Sequence, residues 1–392
     1  MIQGLMVLTA RRLYDGSHLV DCPIVVIEDG CIASIAARAE TAVPAGAQIL
    51  DFPEATLAPS FFDIHIHGAA GHDAMEATPE ALRAMGTFLA SHGTASFLAT
   101  TVTAPLDPTL RAVNGIAKLI AHPPEGAARL LGIHLEGPFL SHAKRGVQPA
   151  ECLLAPDIGV FDRLCDAAEG HVRLITIAPE MPGAVELVTH ATARGVRVSL
   201  GHSNATAAET RAAIAAGAVS ATHTFNAMRP LDHREPGILG TVLTDDSLFA
   251  ELICDGIHSA PEIAKLWWRA KGQERAILVT DAMSAAGMPD GEYRLGGLIV
   301  QVADGRATSD GVLAGSVLTL DCALANFLAF TGATLDQGLR LLTNNPAALT
   351  GFTSEVGRVA AGAPANLIAV SPQGRLEASF INGSLVSALQ TA

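Results

Sequence analysis

Apolar and polar positions alternate in short β-like runs over roughly the first 55 residues. The stretch "CPIVVIEDGCIASIA" (22–36) predicts two strands joined at Glu28-Asp29-Gly30, a hairpin signal. The same flavour returns after residue 354, in "GRVAAGAPANLIAVSP" and in "RLEASFINGSLVSAL", where Asn382-Gly383 marks a turn. Together the two ends predict one small β-sandwich, residues 1–55 and 355–392, with 56–354 folded as a separate domain.

The middle has a different rhythm. Apolar, β-branched runs fall at Phe61–His67, Ala95–Val102, Leu130–Glu136, Leu174–Pro179, Val196–His202, Val219–Thr224, Phe249–Cys254 and Ala276–Asp281. Ala-rich helical stretches separate most of them, such as 78–93 and 204–217. The first opens on Thr78-Pro79-Glu80, a capping residue with proline at the first helical position. Eight strand–helix units in series predict an α/β fold, a (β/α)8 TIM-like barrel. A doubly wound open sheet is the alternative, but no glycine-rich nucleotide fingerprint supports it.

Composition narrows the function. The chain has 392 residues, 49% of them apolar, enough for a large domain and an accessory one. Its net charge is −14, from 25 basic and 39 acidic residues, with no Lys/Arg-rich run. That argues against nucleic acid or an anionic membrane as partner, while leaving room for a small anionic substrate held by one local arginine. No stretch of about 18 uninterrupted apolar residues predicts a membrane span. Six scattered cysteines without a C-x-x-C pair suggest buried free thiols, and the N-terminus lacks a signal-peptide core. A cytoplasmic location is the expectation.

The first barrel run, "FFDIHIHG" (61–68), carries the chemistry. In a strand, residues two apart share a face, so Asp63, His65 and His67 lie on one side and Phe62, Ile64 and Ile66 on the other. Chemistry in such a barrel sits at the C-terminal strand ends. Those ends carry His65, His67, Glu136, Glu180, His202, His223, Asp255, His258 and Asp281. Several imidazoles with a carboxylate suit Zn²⁺, Fe²⁺ or Mn²⁺, and a metal so held lowers the pKa of water toward about 7. Asp281, ending "AILVTDAM", is placed to move a proton. His134 shares a face with Glu136 and reads as a partner to a ligand, and Glu180 reads equally as a helix cap. None of the four lysines (Lys118, Lys144, Lys265, Lys271) ends a strand, leaving Glu136 as the candidate bridging ligand.

Longer strings are more specific. "DIHIHG", "GIHLEGPFL", "SLGHSNAT", "THTFNAM", "HREPG", "CDGIH", "LVTDAMSAAG" and "LAGSVLT", in that order, resemble the amidohydrolase superfamily, and within it the amino-sugar-phosphate deacetylases. The resemblance implies hydrolysis of the acetamide of N-acetylglucosamine 6-phosphate. The alternative is the galactosamine epimer or another amide of the superfamily. It implies one or two divalent metals, Zn²⁺ or Fe²⁺, with Glu136, His202 and His223 as main ligands and His65 and His67 as a pair for a second metal. Asp281 matches the catalytic acid/base, and His258 a histidine near the scissile amide. Val147, Gln148, Asn226, Ala227, Leu313, Ala314 and Gly315 match positions around the sugar phosphate. Arg234 matches a phosphate-binding arginine supplied across a homodimer interface. Three positions depart from the pattern: Ser60 in "PSFFD", Asn366 in "GAPANLIAV", and Gln148, where some members carry a phosphate-contacting histidine.

Overall fold

The computed structural model describes residues 4–388, so 1–3 and 389–392 of the expected small domain lie outside the described residues. Eight parallel strands form the central sheet: β1 (Phe61–Ile66), β2 (Thr94–Thr101), β3 (Arg129–Glu136), β4 (Val172–Ile177), β5 (Arg197–Leu200), β6 (Ser220–Ala221), β7 (Phe249–Ile253) and β8 (Ala276–Val279). Each predicted run overlaps one of them. The order follows the chain, and a parallel bridge between Ile66 and Ala282 joins the last unit back to the first. The result is the (β/α)8 barrel.

Local signals explain the helices that cover it. Thr78 caps Pro79–Ser91 by accepting from the Ala81 N–H at 3.2 Å. Thr206 and Glu209 form a reciprocal capping box on Ala207–Ala215. On β1 the predicted division of faces holds. Phe62, Ile64 and Ile66 are fully buried in the main core, and Phe62 meets Phe352 edge-to-face at 6.0 Å. Burying each such side chain is worth about 1.5–3 kcal/mol, which anchors the strand whose other face carries Asp63 and His65.

Both termini build the small domain, in one eight-stranded sheet rather than two separate sheets. The strand Gln48–Pro59 runs parallel to Met6–Tyr14 and antiparallel to Leu367–Val370, joining the N- and C-terminal halves. It continues to Pro59, four residues beyond the expected boundary at 55. Leu8, Ile32, Leu57, Leu367 and Phe380 share one core. The Cys31–Pro364 bridge ties the first hairpin to the C-terminal segment. Asp29 and Gly30 both take positive φ (49° and 78°) in the predicted hairpin turn.

Two expectations change. Cys165 and Cys254 are buried, but Cys22, Cys31 and Cys322 lie on the surface, so burial does not account for all six free thiols. A four-stranded antiparallel sheet, Gly291–Leu295, Leu298–Ala303, Arg306–Ser309 and Val312–Leu313, is inserted after β8 and was not anticipated. Among the described residues, no helix is long and apolar enough to cross a membrane.

Candidate metal centre at the barrel mouth

Barrel closure assembles half of the site. The Asp281 N–H donates to His65 O at 2.8 Å, and the His67 N–H donates to Ala282 O at 2.8 Å. The same backbone bonds that join β8 to β1 therefore bring the Asp281 carboxylate against two imidazoles. Asp281 Oδ1 lies 3.1 Å from His67 Nε2 and 3.4 Å from His65 Nε2. Glu136 Oε1 forms a second centre, 3.2 Å from His202 Nε2 and 3.0 Å from His223 Nε2, and those two nitrogens are 3.1 Å apart. Three of these residues sit just past a strand end in left-handed backbone: His202 (φ 46°), His223 (φ 29°) and Asp281 (φ 49°). Such a turn is costly for a residue with a Cβ, and it swings the side chain inward at the mouth.

Glu136 stands between the two groups. Oε1 also lies 3.5 Å from His65 Nε2, and Oε2 lies 3.4 Å from His67 Nε2. The spacings fit a divalent ion. Bonds of about 2.0–2.1 Å in a tetrahedral shell put donors about 3.3 Å apart, against 3.0–3.5 Å here. The buried Nε2 of His65 also makes no hydrogen bond, so its lone pair is left for a cation. Two triads meet the spacing for metal ligation: Glu136, His202 and His223, and His65, His67 and Asp281.

The electrostatics agree. Burial pushes the Glu136 carboxyl up, but His202, His223 and His65 outweigh it and hold it well below its usual range. Burial likewise raises Asp281, and the His65 and His67 imidazoles bring it down to about 2. Burial lowers His67, yet Asp281 and Glu136 lift it to about 9. A field that retains protons on buried imidazoles also attracts a cation, and protons compete with it. His134 differs: burial and the nearby His65 hold it well below its ordinary value, and its Nε2 pairs with Thr176 Oγ1 at 2.9 Å.

A cavity of about 340 Å³ opens over these groups, lined by His67, Glu136, Val147, Gln148, His202, His223, Asn226, Ala227, His258, Asp281, Leu313 and Gly315. His65 lies beneath it, fully buried. His258 reaches the cavity on a short bond from Nδ1 to Asp255 Oδ2 at 2.6 Å. Burial lowers His258, but Asp255 raises it above its ordinary value.

The structure also places four more of the expected residues. Ala314 does not line the cavity; its methyl packs into the apolar cluster beneath the inserted sheet. Arg234 lies on an exposed loop away from the cavity of its own chain. Gln148 lines the cavity, but its amide is engaged internally, with Glu136 Oε2 at 2.8 Å and the Thr103 N–H at 2.9 Å. Glu180 does not cap its following helix; it accepts from Ser203 Oγ and the Asn204 N–H, holding the turn after His202.

Sequence reasoning missed Glu251. This carboxylate on β7 is fully buried and accepts from His65 Nδ1 at 3.1 Å and from the His223 N–H at 3.2 Å. A lone glutamate inside the apolar run "FAELIC" was the available signal. Leu295 and Val312, which also line the cavity, came with the unanticipated sheet.

Fold and site together define a (β/α)8 barrel with a candidate metal centre at its C-terminal mouth. The chain belongs to the amidohydrolase family, whose model matches residues 56–386. It is 37% identical over 382 residues to N-acetylgalactosamine-6-phosphate deacetylase of Escherichia coli O157:H7, covering 97% of this chain and 99% of that one. It is 39% identical over 345 residues to N-acetylglucosamine-6-phosphate deacetylase of Lysinibacillus sphaericus, covering 88% of each. A mutant N-acetyl-D-glucosamine-6-phosphate deacetylase from Mycobacterium smegmatis, solved with N-acetyl-D-glucosamine-6-phosphate, superposes with a TM-score of 0.91. It is 36% identical, with 98% of this chain and 100% of that one covered.

Proposed function

We propose that the chain hydrolyses the acetamide of N-acetyl-D-glucosamine 6-phosphate to D-glucosamine 6-phosphate and acetate. The single observation that carries this is the pair of buried His/carboxylate triads sharing Glu136 under one cavity, in a chain whose relatives bear deacetylase names. One or two divalent ions, Zn²⁺ or Fe²⁺, suit imidazole and carboxylate donors. Glu136, His202 and His223 would hold the first, and His65 and His67 the second. When bound, such an ion supplies Lewis acidity toward a carbonyl oxygen and lowers the pKa of water.

The protein groups have distinct work. Asp281, held ionised, takes a proton from the attacking water and returns it to the departing amine nitrogen. His258 donates Nδ1–H to Asp255, so its Nε2 is the atom free to face the acetyl oxygen, where a protonated ring stabilises developing negative charge. Asn226, Ala227, Val147, Leu313 and Gly315 bound the space for the sugar.

Arg234 anchors the phosphate from the partner of a homodimer in this reading. An apolar groove of about 820 Å³ beside its loop, with Leu231 and Leu266 exposed, supports a packed face there. Free cysteines support a cytoplasmic setting.

The test is acetate release from N-acetylglucosamine 6-phosphate, its galacto epimer and the unphosphorylated sugar, with metal quantified on the same sample. Faster turnover of the galacto epimer favours the second reading, which the Escherichia coli relative raises. No release from any of the three overturns both.

A further inference from the structure

The two oxygens of Glu136 are unequal. Oε1 faces three imidazoles at 3.0–3.5 Å. Oε2 accepts the Gln148 amide N–H at 2.8 Å and lies 3.4 Å from His67. Gln148 is itself held from several sides. It is 3% exposed, its Oε1 accepts from the Thr103 N–H at 2.9 Å, and its backbone is tied to Arg145 in both directions. An amide pinned in this way has one orientation, with its N–H aimed at Oε2.

An oxygen that accepts such a charge-assisted bond has part of its lone-pair density engaged and is a weaker donor to a cation. Oε1 carries no comparable bond from outside the cluster. We propose that Gln148 is a positioning residue that grades the two metal positions. It commits Glu136 to the His202–His223 side and weakens the position at His65, His67 and Asp281. The proposal rests on the metal-centre reading above and deepens it.

The test strips the chain of metal and titrates Zn²⁺ against a chromophoric chelator. The unaltered chain binds in two steps, and the His65→Ala/His67→Ala variant identifies the step at His202–His223 by retaining it. Gln148→Leu and Gln148→Met keep similar bulk without a donor, and the second covers the case in which the first does not fold. In either, Oε2 is released and the ratio of the two affinities falls by about tenfold or more, within the 10–100-fold range of groups that orient metal ligands. Gln148→His, which keeps an N–H donor, moves the ratio back toward its original value. A residue needed only for structure loosens both positions in proportion and leaves the ratio unchanged. An unchanged ratio in a folded Leu or Met variant therefore overturns the proposal alone. No Zn²⁺ binding by the unaltered chain overturns the metal-centre reading and this proposal with it.

Discussion

Replacing Glu251 tests how the barrel prepares His65 as a ligand. The His65 Nδ1–H donates to Glu251 Oε2 at 3.1 Å, which leaves the Nε2 lone pair directed at Asp281 and Glu136. The same oxygen accepts the His223 N–H at 3.2 Å, so one carboxylate steadies a member of each triad. Hydrogen bonds to a charged acceptor are worth about 1.5–3 kcal/mol and neutral ones about 0.5–1.5. Glu251→Gln keeps an acceptor and loses the charge, a difference of about 1–1.5 kcal/mol, or roughly tenfold in metal affinity at His65. Glu251→Leu removes the acceptor. It leaves two buried donors unpaired at about 1–3 kcal/mol each, and weakens that metal position by about 100-fold or more. Chelator-competition titration reads the first effect and the midpoint of denaturant unfolding the second. Native metal affinity and an unshifted midpoint in Glu251→Leu would refute the reasoning.

Three further outcomes are expected. Asp281→Asn lowers kcat by about 10²–10⁴-fold while metal at the Glu136–His202–His223 position stays at its native level; near-native turnover removes Asp281 as the proton carrier. Gly68→Ala puts a Cβ 2.4 Å from His72 O and 2.8 Å from Ser284 N, both backbone. The segment carrying His67 must shift, so stability drops by about 1–3 kcal/mol, and an unaltered thermal midpoint contradicts that. Lys271 gives a pH signature far from the metal cluster. Burial holds it down at about 8 although Asp245 and Asp246 raise it. Between about 8 and the ordinary 10.5 the unfolded chain carries a proton the folded chain lacks, so stability rises with pH across that window. Unfolding midpoints relative to Lys271→Met should be flat below pH 8 and climb above it; a fall would reverse the sign.

The barrel was legible because its strands are short apolar runs at strand–helix spacing, and that pattern needs no knowledge of neighbours. The predicted ends were off by a few residues where the backbone turns for the site. Val219–Thr224 yields a strand of only Ser220–Ala221, because the chain bends at His223 to aim its ring. The inserted sheet was missed although Asp304-Gly305 and Asp310-Gly311, with φ of 51°, 73°, 49° and 77°, are hairpin turn pairs visible in the sequence.

Residue type and spacing alone determined which side chains could serve a metal. A period of two puts His65 and His67 at one end of one strand, and strand–helix spacing sends His202 and His223 to neighbouring ends. What those side chains do to one another was decided only in three dimensions. Glu136 faces both triads, Gln148 donates to Glu136, and Glu251 reaches His65 across 186 positions of sequence. Arg234 stays on the surface of its own chain. Periodicity records which way a side chain points from its own strand. The partner it meets depends on how the sheet closes, and here closure between β8 and β1 is the contact that builds the His65–His67–Asp281 triad.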